Sequence, residues 1–233
     1  MLVSIHQPHY LPWLRYFEKI ARSDVFILLD DVQYEKNGFQ NRNKIKTAQG
    51  WSYLTVPVRR PTQRCIRDIE LVDDGWREKH RRAIEMNYRR APFFAKYWPE
   101  LEAIYRHEWA NLGELNAGML TVFLHQLEIG TRVERSSALS VQGQSSERLV
   151  DLCRAVAADA YLSGAYALEQ YLDPEAFRSA GIRLVLQEWK APAYNQLYAA
   201  AGFIPDLAIV DLLFNEGPRA RAILTDSGRV IYQ

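Results

Sequence analysis

Residues 2–31 read LVSIHQPHYLPWLRYFEKIARSDVFILLDD, and this stretch decides the fold. Leu2 to Ile5 is an apolar run of strand length, and Leu14 to Ala21 carries apolar residues at helical spacing. Val25 to Leu29 is continuously apolar, which is typical of a strand buried on both faces of a parallel sheet. A strand, a helix and a second strand in this order predict a βαβ unit with a right-handed crossover.

The later part of the chain repeats the alternation of strand and helix. A further strand is predicted at 51–58, where Pro57 places the strand end at a sheet edge. Together these patterns predict an α/β fold, namely a Rossmann-like parallel sheet with flanking helices. The remaining predicted elements are strands at 132–136, 160–162 and 183–187 and helices at 146–157, 168–180 and around 206–215.

Residues 76–130 break this alternation with three consecutive segments that carry apolar residues at three- and four-residue spacing. We predict three helices here, forming an insertion that packs on the sheet domain. The sheet domain itself is predicted to comprise residues 1–75 and 131–233.

Composition narrows the classes of protein that the chain can belong to. Lys and Arg total 29 against 28 Asp and Glu, so a dedicated nucleic-acid surface is not expected. The sequence contains no run of 18 apolar residues, so a membrane span is not predicted. The opening MLVSIHQPHY lacks the apolar core of a signal peptide, so a cytoplasmic location is expected. Cys65 and Cys153 form no C-x-x-C pair and the histidines form no zinc motif, so no metal site is predicted.

Polar residues follow several predicted strands at the point where each strand ends. Open parallel sheets bind ligands outside the carboxyl ends of their strands, at a topological switch point. The sequence therefore predicts one crevice into which these strand ends converge. The residues concerned are His6, Gln7 and His9 after the first strand, Asp30 and Asp31 after the second, and Ser136, Ser137, Ser163 and Gly164 after later ones.

Four of these residues are the catalytic candidates. His6 can act as a general base, a hydrogen-bond donor to phosphate or a metal ligand, or it can simply tie down the strand–loop junction. His9, three residues later, either shares that site or is an ordinary loop histidine. Asp30 and Asp31 can accept protons, bind ribose hydroxyls or hold a metal, for which one carboxylate pair alone is a weak signal, or they can cap the neighbouring loop.

Residues 30–50 show almost no apolar periodicity and predict a long functional loop. Asn37, Asn41, Arg42 and Lys44 make this loop rich in amides and cations, and arginine pairs with carboxylate or phosphate through two parallel hydrogen bonds. An anionic ligand is the functional interpretation, and a solvated surface loop is the alternative.

Three weaker pairs of candidate residues lie on predicted helices. Ser146 and Arg148 open a helix, where they either face an anion or cap the helix. Asp211 and Asn215 lie four residues apart in an apolar helix, where they are either site residues or caps of neighbouring loops. Lys79 and His80 lie near a helix start, where they either close over the site or belong to a solvated face.

The run IHQPHYLPWLRYFEKIARSDVFILLDDVQYEKNGFQNRNKIKT, residues 5–47, resembles the WbqC-like protein family. The resemblance continues through WSYLTVPV, WREKH, SERLVDLC, YLSG, GIRLVLQ and IVDLLFN, so it covers essentially the whole chain. It implies a protein of bacterial surface-polysaccharide (O-antigen) or related biosynthesis, with an aminoacyl or glycine transferase role. Arg15 stands where a glycine is usual in the family, which leaves the acceptor open. The residues carried over by motif are His6, Gln7, Pro8, Tyr10, Lys19, Asp30, Asp31, Gln33, Asn41, Arg42, Lys44, Lys79, His80, Ser146, Arg148, Ser163, Gly164, Asp211 and Asn215.

A second, fold-level resemblance concerns mechanism. A strand followed by His6-x-x-His9, a helix and VFILLDDVQ is similar to the opening of the HIGH-motif nucleotidyltransferases, particularly pantothenate synthetase. In that superfamily the two histidines stabilise charge on nucleotide phosphates.

Three functions follow from these observations. The first is a transferase that moves an aminoacyl or other acyl group from an anionic donor to an amine- or hydroxyl-bearing, sugar-like acceptor. The second is an ATP-dependent nucleotidyltransferase or ligase, for which ATP or another nucleotide with Mg²⁺ would be required. The third is a non-catalytic protein that binds nucleotide sugars or acts as a scaffold in a biosynthetic assembly. The sequence identifies neither a cofactor nor an oligomeric state.

Overall fold

A computed structural model describes residues 1–59, 64–164, 167 and 172–232 of the chain. The strands are β1 (Leu2–His6), β2 (Val25–Leu28), β3 (Arg42–Thr47), β4 (Gly50–Thr55), β5 (Arg132–Arg135), β6 (Ala160–Gly164), β7 (Arg183–Trp189) and β8 (Gly228–Tyr232). Six of them form one sheet in the order β5-β2-β1-β6-β7-β8, in which all neighbours are parallel except β7 and β8. The predicted α/β, Rossmann-like fold is therefore confirmed.

Helices cover both faces of this sheet. They are α1 (Leu14–Ala21), α2 (Trp76–Tyr88), α3 (Phe94–Arg106), α4 (Leu112–Gln126), α5 (Ser136–Leu139), α6 (Ser145–Ala155), α7 (Pro174–Ser179), α8 (Ile209–Glu216) and α9 (Ala220–Asp226). Alternate residues of β2 pack against the helices on different faces of the sheet, because successive side chains of a strand point to opposite faces. Phe26 and Leu28 join the core built with α1–α4, α8 and α9, whereas Val25 and Ile27 join the core built with α6 and α7.

The strand order creates a topological switch point between β1 and β6. The chain first builds outward from β1 through β2 to β5, and it then returns to place β6 and β7 on the opposite side of β1. Because these strands are parallel, β1 ends at His6 on the same sheet edge where β6 ends at Gly164. Ligands of open α/β sheets bind at this kind of position.

The segment between β2 and β5 differs in part from the prediction. The three predicted helices are present as α2–α4, but residues 42–47 form strand β3, so the prediction of a single long loop over 30–50 was wrong. The strand was missed because its inward side chains are partly polar: Asn43 is fully buried and its Nδ2 donates to the backbone oxygen of Leu11 at 2.6 Å. The strand predicted at 51–58 is β4, which pairs with β3 in a separate antiparallel hairpin outside the central sheet. The proposed domain limits stay a prediction.

The C-terminal segment adds a strand that the sequence did not predict. Strand β8 pairs antiparallel with β7, and a Cβ atom on Gly228 would collide with the buried carboxylate of Glu18. The helix predicted at 168–180 is described as α7 from Pro174, and residues 168–171 lie outside the described part of the chain. Over the described ranges, none of the helices has the length and apolar character needed to cross a membrane.

Candidate functional site

Two cavities open at the carboxyl edge of the sheet, one on each side of His6. The first, which we call the cationic cavity after Arg15 and Lys19, measures about 310 Å³, and its lining also includes His6, Ser163, Gly164, Gln187, Glu188 and Trp189. The carboxylate of Glu188 pairs with Arg229. The second, which we call the polar cavity after its polar residues, measures about 700 Å³, and its lining combines His6, Gln7, Gln33, Glu35, Gln144 and Arg148 with the apolar residues Ile5, Leu29, Val32 and Leu149. Ile5, His6 and Tyr161 line both cavities.

The Nε2 ring nitrogen of His6 has no hydrogen-bond partner among the described residues. It is half-buried at the end of β1, and its Nδ1 lies 3.1 Å from the backbone oxygen of Gln7. Because a carbonyl only accepts hydrogen bonds, Nδ1 carries the hydrogen and Nε2 keeps its lone pair. Burial lowers the pKa of His6 well below the ordinary value, and the charges of His9 and Lys19 lower it further. His6 is therefore neutral near pH 7 and able to accept a proton.

His9 packs against His6 and belongs to a cluster of aromatic side chains. The two rings lie 4.6 Å apart, and Trp13 and Tyr16 pack against His9 at 5.0 and 5.5 Å. Burial and the charge of Lys19 lower the pKa of His9 to about 3. Its Nδ1 is buried without a hydrogen-bond partner among the described residues, and His9 lies outside the lining of both cavities.

Lys19 and Arg15 give the cationic cavity its charge. They lie one turn apart on α1, so they share a helix face. Lys19 is only 8% exposed, yet no carboxylate of the described chain lies within ion-pair distance of its Nζ. Burial, aided by the charge of Arg15, lowers the pKa of Lys19 to about 8. An anion bound in the cavity would pair with this buried ammonium group.

Strands β6 and β7 form the opposite wall of the cationic cavity. Ser163 is buried at the end of β6, and its Oγ donates to the backbone oxygen of Gly164 at 3.3 Å. Gln187 and Trp189 project from β7, and sequence reasoning missed both of them as site residues. The signal that could have identified them is a polar Gln187 ending the apolar run RLVLQ, with Trp189 two residues later on the same strand face.

Asp31 and Arg148 form an ion pair at the polar cavity. Arg148 Nη2 lies 2.7 Å from Asp31 Oδ2, and Ser136 Oγ donates to Asp31 Oδ1 at 2.6 Å. Burial raises the pKa of Asp31, but the hydrogen bonds from Ser136 and Arg148 outweigh it, so the net shift is downward. Ser146, in the first turn of α6, is buried, and its Oγ accepts a hydrogen bond from the backbone nitrogen of Asp173 at 2.8 Å.

Asp30 is satisfied entirely within the protein. It is 3% exposed and accepts hydrogen bonds from the backbone nitrogen and hydroxyl of Ser137, at 3.1 and 2.9 Å. These bonds hold the start of α5. Across the described residues, no cluster of three His, Cys, Asp or Glu side chains is arranged to hold a metal ion.

The amide- and cation-rich residues of the hairpin region lie outside both cavities. Asn41 Nδ2 donates to the backbone oxygen of Val56 at 2.8 Å, which fixes the hairpin. Arg42 donates to the backbone oxygen of Asn37 at 2.5 Å and stacks over Tyr53. Lys44 stacks over Trp51, with 4.7 Å between Nζ and the ring centre.

Tyr10 and His80 belong to a buried network between the sheet layer and the helices. Tyr10 Oη lies 2.7 Å from both His80 Nδ1 and Tyr105 Oη. Burial lowers the pKa of His80 to about 4. Lys79 is exposed beside Asp74, so neither Lys79 nor His80 lines a cavity at the sheet edge.

Asp211 and Asn215 belong to a third polar network, within α8. The hydroxyls of Tyr88 and Tyr194 donate to the two carboxylate oxygens of Asp211 at 2.9 and 2.8 Å. Burial raises the pKa of Asp211 to about 6 despite these bonds. Asn215 Nδ2 donates to the backbone oxygen of Asp211 at 2.7 Å. The structure thus brings together His6, Gln7, Lys19, Gln33, Arg148, Ser163 and Gly164 at the sheet edge. Outside both cavities lie Tyr10, Asn37, Asn41, Arg42, Lys44, Lys79, His80, Asp211 and Asn215.

A family model and a relative both match most of the chain. The model of the WbqC-like protein family matches residues 7–223. The uncharacterized protein Rv1507c of Mycobacterium tuberculosis is 39% identical over 222 residues, which cover 94% of this chain and 95% of that protein. No solved structure matches the chain.

Proposed function

The chain belongs to the WbqC-like protein family, and on that premise we propose that it is a transferase of surface-polysaccharide or related biosynthesis. It moves an aminoacyl or other acyl group from an anionic donor to an amine- or hydroxyl-bearing, sugar-like acceptor. The donor occupies the cationic cavity and the acceptor occupies the polar cavity.

The observation that carries this proposal is the position of His6 in the lining of both cavities. A residue between two neighbouring cavities can act on two molecules held side by side. Holding two reactants in contact replaces an encounter in solution with a reaction inside one complex, which removes a large entropic part of the barrier.

The charge of the cationic cavity suits a donor with an anionic leaving group, such as an acyl phosphate or acyl adenylate. Lys19 and Arg15 supply two positive charges from one helix face, and Lys19 is largely withdrawn from water. Charged groups fixed in a site of low polarity stabilise developing negative charge strongly. These two residues would bind the leaving group and stabilise it as it departs.

His6 supplies the proton transfer. Its neutral Nε2 takes the proton from the acceptor N–H or O–H while that nitrogen or oxygen attacks the donor's carbonyl carbon. The new C–N or C–O bond forms, the bond between the carbonyl carbon and the leaving group breaks with its electron pair, and His6 then passes the proton to the leaving group.

A nucleotidyltransferase is the second candidate function. The observation that favours it is the close pair of His6 and His9 at the switch point, with ring centres 4.6 Å apart. That reaction would use ATP with Mg²⁺ and release pyrophosphate. The low exposure of His9 favours the acyl transferase, since His9 would have to contact phosphate in the alternative.

Mass spectrometry of reaction mixtures separates these functions. Purified protein is incubated with acetyl phosphate or an aminoacyl adenylate together with amino-bearing nucleotide sugars, and a parallel set contains ATP, Mg²⁺ and the same acceptors. We expect an acylated acceptor with the wild type and none with His6→Gln. The control His125→Gln alters an exposed histidine of α4 and retains the activity.

Two outcomes would contradict the acyl transfer. Pyrophosphate release from ATP that depends on His6 and His9 would support the nucleotidyltransferase instead. Thermal stabilisation by nucleotide sugars with no product from any donor would indicate a non-catalytic binding protein.

A further inference from the structure

The β7 wall of the cationic cavity contains a buried acceptor whose orientation is fixed. Gln187 is 3% exposed, and its Nε2 donates to the backbone oxygen of Arg15 at 3.0 Å and to the carboxylate of Glu18. Both partners are acceptors only, so the side-chain amide of Gln187 cannot be reversed. Its Oε1 is therefore the remaining polar atom, and it has no hydrogen-bond partner within the described part of the chain.

Trp189 provides a complementary donor beside it. It lies two residues after Gln187, so both side chains project from the same face of β7. Its indole Nε1 is also buried and lacks a partner among the residues that the structure describes. An indole N–H only donates, whereas the Gln187 oxygen only accepts.

We propose that Gln187 makes the cationic cavity selective for anions that carry an O–H or N–H group of their own. This selectivity rests on the proposed function, because it specifies the chemistry of the anionic donor held in the same cavity. Lys19 and Arg15 attract any anion, and Trp189 can donate to any anionic oxygen. The Gln187 oxygen differs from them: it repels an oxygen that carries no hydrogen and accepts a hydrogen bond from one that does.

Phosphate and sulfate test this selectivity because they share shape and nearly share charge. At pH 7.5 phosphate keeps at least one P–OH group, whereas sulfate has no hydrogen to donate. Isothermal titration calorimetry of the full chain at constant ionic strength should show phosphate binding about tenfold more tightly than sulfate, the effect of one hydrogen bond in a charged site.

Three variants locate the effect. Gln187→Met should bring the two affinities together, because this variant loses both the hydrogen bond from phosphate and the repulsion of sulfate. Trp189→Phe should weaken both anions and keep the ratio between them, which makes it the matched control on the same strand face. Lys19→Met should weaken both anions strongly. Circular dichroism establishes that each variant is folded.

The outcomes distinguish this inference from the proposed function. Equal affinities in the wild type, or a preference for phosphate that persists in Gln187→Met, would overturn the role of Gln187 and leave the anion site intact. The absence of binding by both anions would overturn the cationic cavity as a donor site. If Gln187→Met does not fold, equal affinities of the wild type for phosphate and sulfate would still overturn the proposed role of Gln187.

Discussion

Replacing Lys19 with methionine should stabilise the protein while it removes anion binding. The ordinary lysine pKa is 10.5, and burial lowers the pKa of Lys19 to about 8. At about 1.4 kcal/mol for each tenfold change in a protonation equilibrium, keeping this amine charged costs the folded state about 3 kcal/mol. Methionine keeps most of the apolar stem and carries no charge, so Lys19→Met should recover this free energy at pH 7.

The gain should depend on pH in a defined direction. The pKa of Lys19 is lower in the folded chain than in the unfolded chain, so the penalty is fully present below pH 8 and disappears as the pH rises through 10.5. For a chain of this length, about 3 kcal/mol corresponds to a rise in Tm of about 6–12 °C at pH 7. Near pH 10.5 the Tm values of Lys19→Met and the wild type should converge.

Thermal denaturation followed by circular dichroism at pH 7 and pH 10 measures both effects. Lys79→Met is the matched control, because the side chain of Lys79 is 68% exposed and its replacement should leave Tm nearly unchanged. A Tm of Lys19→Met equal to or below that of the wild type at pH 7 would refute the reasoning. A gain of the same size at both pH values would refute it as well.

Three further predictions concern charges elsewhere in the site and its surroundings. In Lys19→Met, the pKa of His9 should rise, because Lys19 is one of the charges that lower it; an NMR titration that gives the wild-type value would exclude this coupling. The folded-state pKa of Asp211 is about 6, above the ordinary 3.8, so the wild type loses stability as the pH rises through this window. The stability of Asp211→Asn relative to the wild type should therefore grow by about 3 kcal/mol between pH 4 and pH 8. Urea denaturation checks this, and a difference that does not vary with pH would contradict it. His80→Gln should lose less stability than the wild type as the pH falls from 6.5 to 4, by about 1.4 kcal/mol per pH unit. The reason is that the folded-state pKa of His80 is lowered to about 4, so acid favours the unfolded wild-type chain. If the free energy of unfolding, measured with urea, falls equally steeply with pH in both proteins, this prediction is wrong.

The parallel sheet could be predicted because strand β2 is apolar on both faces. The run VFILL is buried against two separate cores, and no other element of that length accounts for so continuous an apolar stretch. Strand β3 escaped prediction because Asn43 and Lys46, on opposite faces of the strand, are both buried with polar partners, so its buried positions do not look apolar in the sequence. Strand β8 was missed because its position depends on pairing with β7.

The positions of His6 and Ser163 could be predicted from the strand pattern, since the carboxyl ends of parallel strands meet at one sheet edge. Lys19 and Arg148 also line the cavities, but they lie on helices; Lys19 was predicted only from the family resemblance, and Arg148 also from its place near a helix start. The role of all four residues in a functional site stays a prediction. The hairpin cations Arg42 and Lys44 were interpreted as binding an anion because of their chemistry, and they lie outside both cavities, stacked over Tyr53 and Trp51. Gln187 and Trp189 were missed because their importance arises from unpaired buried atoms, which only the three-dimensional structure reveals.

A crystal structure of the protein with acetonylphosphonate, a stable mimic of acetyl phosphate, tests the proposed reaction site most directly. We predict that the phosphonate lies against Lys19 and Arg15 in the cationic cavity and that the ketone carbon faces His6 Nε2 across the boundary with the polar cavity. A phosphonate bound outside the cationic cavity, or a ketone directed away from His6, would contradict transfer between the two cavities.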